Sequence, residues 1–63
     1  MERFEEFELP VGTVVEVRER FRGLWSRGFV IAASTDGGYL LRRSSDRSVL
    51  PTPFIRADVR AHR

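Results

Sequence analysis

The chain has no cysteine and no lysine, only one histidine, and no apolar run approaching the roughly 20 residues of a membrane span. Each absence excludes something. Without cysteine there is neither a disulfide staple nor a thiolate metal site. His62 is the sole imidazole and sits one residue from the C-terminus, so zinc would need carboxylates from elsewhere. It reads as a solvated terminal side chain, and neither metal nor cofactor is expected. The three aspartates are scattered, and none pairs with a nucleophile. Ser44, Ser45 and Ser48 fall in a polar turn with no neighbouring histidine to activate them. Gly37-Gly38 lacks the strand, glycine loop and helix that cradle a nucleotide. No enzyme is expected. The acidic N-terminus is unlike a signal peptide, and the expectation is a soluble, cytoplasmic chain that does not enter a membrane.

What is present is charge, unevenly placed. Residues 1–19 hold six Glu against two Arg, a balance of −4, whereas residues 20–63 hold nine Arg against three Asp, a balance of +6. Such asymmetry suggests an acidic arm and a basic surface. That every basic residue is arginine fits a GC-rich coding sequence. It also fits recognition of phosphate or carboxylate, which the guanidinium fork matches geometrically.

The clearest local signal is Gly23 to Arg43, GLWSRGFVIAASTDGGYLLRR. Trp25 to Ala33 is rich in aromatic and β-branched residues, which suit a pleated, half-buried surface. Thr35-Asp36-Gly37-Gly38 supplies a tight turn that tolerates positive φ, and Tyr39-Leu40-Leu41 resumes the strand character. The second strand looks apolar on both faces, Val30 and Ala32 on one, Phe29 and Ile31 on the other. It must then be covered on both sides.

Around this hairpin the chain is short and continuous. Residues 1–10 form an acidic, aromatic arm with Phe4, Phe7 and Leu9, equally compatible with a short helix and with an extended segment. Thr13 to Glu19 alternates as a first strand. Arg20 to Leu24 is a basic connection. Ser44 to Ser48 is a polar turn, and Val49-Leu50 a short fourth strand stopped by Pro51. Phe54-Ile55 suits a single 3₁₀ turn, and Asp58 to His62 a final strand. Five short strands in 63 residues point to an all-β, small five-stranded barrel over residues 11–63. Closure would also remove edge strands. An OB-type barrel is the rival, but it usually needs a longer chain and a helix.

The residues Val15-Glu16-Val17, Gly23-x-Trp25-x-x-Gly28-x-Val30 and Tyr39-x-Leu41-Arg42 fall in a particular order. The Ser-Ser-Asp turn, Leu50, Phe54 and Asp58-Val59-Arg60 follow them. Together they resemble the SH3-like barrels of the Tudor and agenet group across roughly residues 11–62. The resemblance implies an SH3-like (Tudor-like) barrel with a 3₁₀ turn before the last strand. It implies a binding module. Tudor domains often read methylated lysine or arginine through an aromatic cage. At the matching positions this chain has Ser26 and Arg43, followed by Ser44-Ser45-Asp46, so the cage is not retained.

The ligand-facing pair is then expected to be Trp25 and Tyr39, with arginines from two loops that meet at one end of such a barrel. Those are Arg20, Arg22, Arg27, Arg42, Arg43 and Arg47. A basic groove with aromatics is how single-stranded nucleic acid is commonly held, and nucleic acid is the leading expected partner. The alternative is a protein-interaction module. An outward apolar face of Phe29, Ile31 and Leu40 is either covered by Phe4, Phe7 and Leu9 of the arm or, left open, pairs with a peptide, another protein or a second copy as a homodimer.

Overall fold

The structure, a computed structural model, describes residues 8–62. Phe4 and Phe7 lie outside the described residues. Four strands build one antiparallel sheet: β1 (Val14–Arg18), β2 (Trp25–Thr35), β3 (Gly38–Arg43) and β4 (Val59–Ala61). A 3₁₀ turn over Arg56–Asp58 leads directly into β4. The spatial order is β3-β2-β1-β4, so β3 and β4 are edges and no ladder joins them among the described residues. The architecture is therefore all-β, but with four strands instead of the five expected, and the sheet does not close into a barrel.

The hairpin forms as the sequence suggests. Thr35 pairs with Gly38 across the two-residue turn Asp36-Gly37. Positive φ falls on Gly38, at 135°. A side chain there would also overlap the Phe54 carbonyl, whose carbon would lie 2.7 Å from an added Cβ. Gly38 is thus fixed twice, by backbone conformation and by close approach.

β2 is the strand that bends. Its register against β1 slips between Val15 and Val17, which face Phe29 and Ser26, and against β3 between Ile31 and Ala33, which face Leu41 and Leu40. Both irregularities place the extra residue in β2, and a bulged strand bends and twists more strongly. The sheet curls around a small core of Val15, Val17, Ile31, Tyr39, Leu41 and Val59, with Leu9, Phe29, Leu50 and Phe54 packed against it.

That register corrects the expected apolar face. Phe29 opposes Val15, and Ile31 opposes Leu41. Opposed residues share a face and neighbours alternate, so Phe29 and Ile31 point into the core. Leu40, next to core Leu41, points the other way. The three do not form one outward surface.

Val49 is reduced to a single bridge with Arg42, because Pro51 and Pro53 cannot donate to a growing ladder. Phe54 exchanges both backbone hydrogen bonds with Tyr39, each 2.9 Å, which ties the connection onto the β3 edge. With its backbone committed there, Phe54 does not enter the 3₁₀ turn expected at Phe54-Ile55, and the turn forms two residues later.

Candidate functional site

Trp25 begins β2 directly opposite Arg18, and Arg60 pairs with Glu16 on the other side of β1. Strand alternation gathers these four side chains on the outer face of the sheet. The Arg60 guanidinium lies 3.9 Å from the centre of the Trp25 ring system and the Arg18 guanidinium 5.6 Å from it. Each arginine is in turn held by a carboxylate. Arg18 donates to Asp58 Oδ1 from Nε at 3.1 Å and Nη2 at 2.8 Å, and Asp58 is buried. Arg60 donates to Glu16 Oε1 at 2.8 Å. Glu16 also meets His62 Nδ1 at 3.0 Å and Arg27 Nε at 3.9 Å. The hydrogen bonds from His62 and then Arg60 hold the Glu16 carboxyl below its ordinary value. His62, expected as a solvated terminal residue, is instead half-buried against Glu16.

Tyr39 is a core residue, 2% exposed. Its hydroxyl accepts a 2.9 Å hydrogen bond from the Leu9 backbone, and the Arg56 guanidinium lies 4.9 Å from its ring centre. Arg56 donates to Glu8 Oε2 at 2.8 Å, to the Ser34 hydroxyl at 3.0 Å and to the Thr35 carbonyl at 2.9 Å. Ser34 donates onward to Glu8. Hydrogen bonds from Arg56 and Ser34 hold the Glu8 carboxyl below its ordinary value, and Glu8 raises that of Arg56. A mainly apolar groove lined by Leu9, Tyr39, Ala57, Val59 and Ala61, together with Arg56 and Arg60, runs along the β4 edge. The expected ligand-facing pair is therefore not brought together. Trp25 is stacked under arginine on the outer face, and Tyr39 is sealed inside.

The other arginines divide by partner. Arg22 donates to Glu19 at 3.0 Å, and Arg43 lies 3.6 Å from Asp46. Arg20, Arg42 and Arg47 have no carboxylate partner among the described residues. The loop 19–24 joins β1 to β2 and the loop 44–48 follows β3, so both leave the same end of the antiparallel sheet. They are staggered by the four residues from Trp25 to Phe29, about 13 Å at the rise of a strand. In the first loop Phe21 is 92% exposed between Arg20 and Arg22. Phe21 is the aromatic that sequence reasoning missed. The alternation Arg20-Phe21-Arg22 was its signal, hidden by treating the segment only as a basic connection. Arg18, Arg60 and Glu16 were missed because their roles depend on pairings forty residues apart.

Among the described residues no three His, Cys, Asp or Glu side chains converge to hold a metal ion. No helix among them is long and apolar enough to cross a membrane. Compared with known families, curated proteins and solved structures, the chain matches none.

Proposed function

We propose that this chain is a non-enzymatic binding module, an open variant of the SH3-like architecture, that associates with nucleic acid through the loops at one end of its sheet. The 3₁₀ turn entering the last strand and the central long hairpin support the SH3-like reading. The observation that carries the function is Phe21, an almost fully exposed aromatic between two arginines. A soluble chain gains nothing in its own fold from such a side chain, whereas a base can stack on it while arginines contact the flanking phosphates. The stacking role thus passes from Trp25 and Tyr39 to Phe21. Arg20 and Arg22 flank it, and Arg42, Arg43 and Arg47 extend the basic surface across the second loop.

The test is an anisotropy titration of a labelled single-stranded oligonucleotide at several salt concentrations. With about three phosphates neutralised, log affinity should fall against log salt with a slope of about −2. Phe21→Ala should weaken binding about tenfold, the loss of one stacked base, while changing stability by less than about 0.5 kcal/mol. Absence of binding at low salt would overturn the reading. The protein-interaction alternative, which fits the apolar groove beside β4, would then be pursued with peptides whose binding is insensitive to salt.

A further inference from the structure

The loop 44–48 contains the described chain's one non-glycine residue at positive φ, Arg47 at 63°. The left-handed conformation suits glycine and, less often, asparagine, whereas other residues bring a Cβ close to the carbonyl oxygen. The loop is otherwise well built. Arg47 donates its backbone N–H to the Arg43 carbonyl, Arg43 donates to the Ser48 carbonyl, and Asp46 Oδ1 accepts from the Ser48 backbone and hydroxyl at 3.0 and 2.8 Å. Nothing in this hydrogen bonding uses the Arg47 side chain. The left-handed residue closes the turn through its backbone, and the Arg47 side chain has no carboxylate partner among the described residues. Glycine would close the same turn without the cost of a Cβ, so the arginine side chain at this position is a candidate for function.

Its surroundings indicate which function. Arg47, Arg42, Ser44 and Val30 line one concave site. Arg42 stands on β3 opposite Val30, so its side chain rises from the sheet, half-buried, on the outer face. Arg47 and the Ser44 hydroxyl come from the loop above. Two arginines and a serine around Val30 bring hydrogen-bond donors and positive charge to the site, and no acidic residue lines it. The nearest acid in the loop, Asp46, is turned to Ser48 and Arg43. The Ser48 hydrogen bonds hold its carboxyl below the ordinary value.

We infer that Arg42, Ser44 and Arg47 form the seat of a phosphate group, with Arg47 kept in its strained conformation to aim a guanidinium into that seat. The shared chemistry is a tetrahedral phosphate oxyanion, whether the phosphodiester of a strand or a free phosphate. Arginine forks bind it through paired, charge-assisted hydrogen bonds. This deepens the nucleic-acid reading by giving one phosphate a place, and the two can fail separately.

The experiment uses the wild-type protein, Arg47→Gly and Arg42→Gln. Each is titrated with inorganic phosphate against a chloride control, following backbone amide shifts by NMR, and then with the oligonucleotide. In the wild type, the amides of residues 42–48 should move and saturate with phosphate but not with chloride. Arg47→Gly should lose this response, bind the oligonucleotide about tenfold more weakly, and show a salt slope shallower by about 0.7 to 1. Its melting temperature should hold or rise by up to about 5 °C, because glycine relieves the left-handed strain. Arg42→Gln should lose the phosphate response in the same way. A fall in melting temperature of more than about 5 °C in Arg47→Gly would give the side chain a structural role and overturn the inference. So would an unchanged phosphate response in either variant. If the oligonucleotide binds both variants as it binds wild type, this seat is wrong and the Phe21 loop carries binding alone. If phosphate binds but no oligonucleotide does, the seat stands as a phosphate site and the nucleic-acid reading falls.

Discussion

Arg60 and Arg42 both stand on the outer face of the sheet, on β4 and β3, yet they occupy opposite electrostatic worlds. Arg60 lies over Trp25 and donates to Glu16, in a row that runs from Asp58 through Arg18, Trp25 and Arg60 to Glu16 and His62. Every charge in that row has an opposite neighbour, and the row clamps β4 and the 3₁₀ turn onto β1. Arg42 and its loop neighbour Arg47 have no such partner among the described residues. The difference teaches that an arginine beside an aromatic is not in itself a binding site. A guanidinium already satisfied by a carboxylate and an indole has little left for a ligand, and removing its partner costs stability instead of affinity.

The strongest way to break the comparison is to break the frame that carries both sides. Gly38→Ala forces a side chain into positive φ and into the Phe54 carbonyl, and so detaches the connection that precedes the 3₁₀ turn. The expected loss is about 3 kcal/mol or more, enough to unfold a domain this small at ambient temperature. Circular dichroism melting would check it. A native-like melt would mean that the Tyr39–Phe54 bridge is dispensable.

Trp25→Ala separates the two sides. It removes the platform under Arg60 and Arg18, leaving their carboxylates less well ordered. The expected cost is about 2 kcal/mol of stability, from lost burial and cation–π contact. At temperatures where the variant is still folded, oligonucleotide affinity should change less than about twofold, the opposite signature to Phe21→Ala. An affinity loss as large as that of Phe21→Ala, with stability intact, would move the ligand back to Trp25 and erase the distinction drawn between the two faces.

How much of this was legible before any coordinates follows from how local each feature is. The hairpin from Trp25 to Arg43 was readable because its turn residues and β-branched runs act over a few positions. Val15 and Val17 were readable as inward residues by their alternation with Glu16 and Arg18. The bulges in β2 were not, and they overturned the assignment of Phe29 and Ile31, since one inserted residue flips every side chain beyond it. The count of five strands failed at Val49-Leu50, where two prolines weigh more than two apolar residues. The arginines were visible as a class, but which of them meet a carboxylate among the described residues depends on Glu16 and Asp58 reaching residues across the sheet. Composition cannot supply that. Phe21 stood in plain sight between Arg20 and Arg22, and needed only the distinction between an apolar residue that the fold buries and one that it leaves out.

The smallest expected effect sharpens the same contrast through pH. Glu16 and Glu8 are held below their ordinary value of 4.5, Glu16 by His62 and Arg60, Glu8 by Arg56 and Ser34. A carboxylate whose folded value is depressed binds protons less readily than in the unfolded chain. Its contribution is whole above the unfolded value and drains away as the pH falls through the folded one. The melting temperature should therefore be level near neutrality and decline from about pH 5 downwards. Glu16→Gln keeps the size of the side chain but cannot ionise. It should start lower at pH 7 and decline less steeply, so that the two curves converge in acid. Asp46→Asn, on the unsaturated side, should alter the curve less. Its depressed value comes chiefly from two hydrogen bonds donated by Ser48, both to Oδ1, and an amide oxygen in that place can still accept them. Parallel curves for wild type and Glu16→Gln would show that the carboxylate row is solvated surface, and that Arg60 and Arg42 differ less than their surroundings indicate.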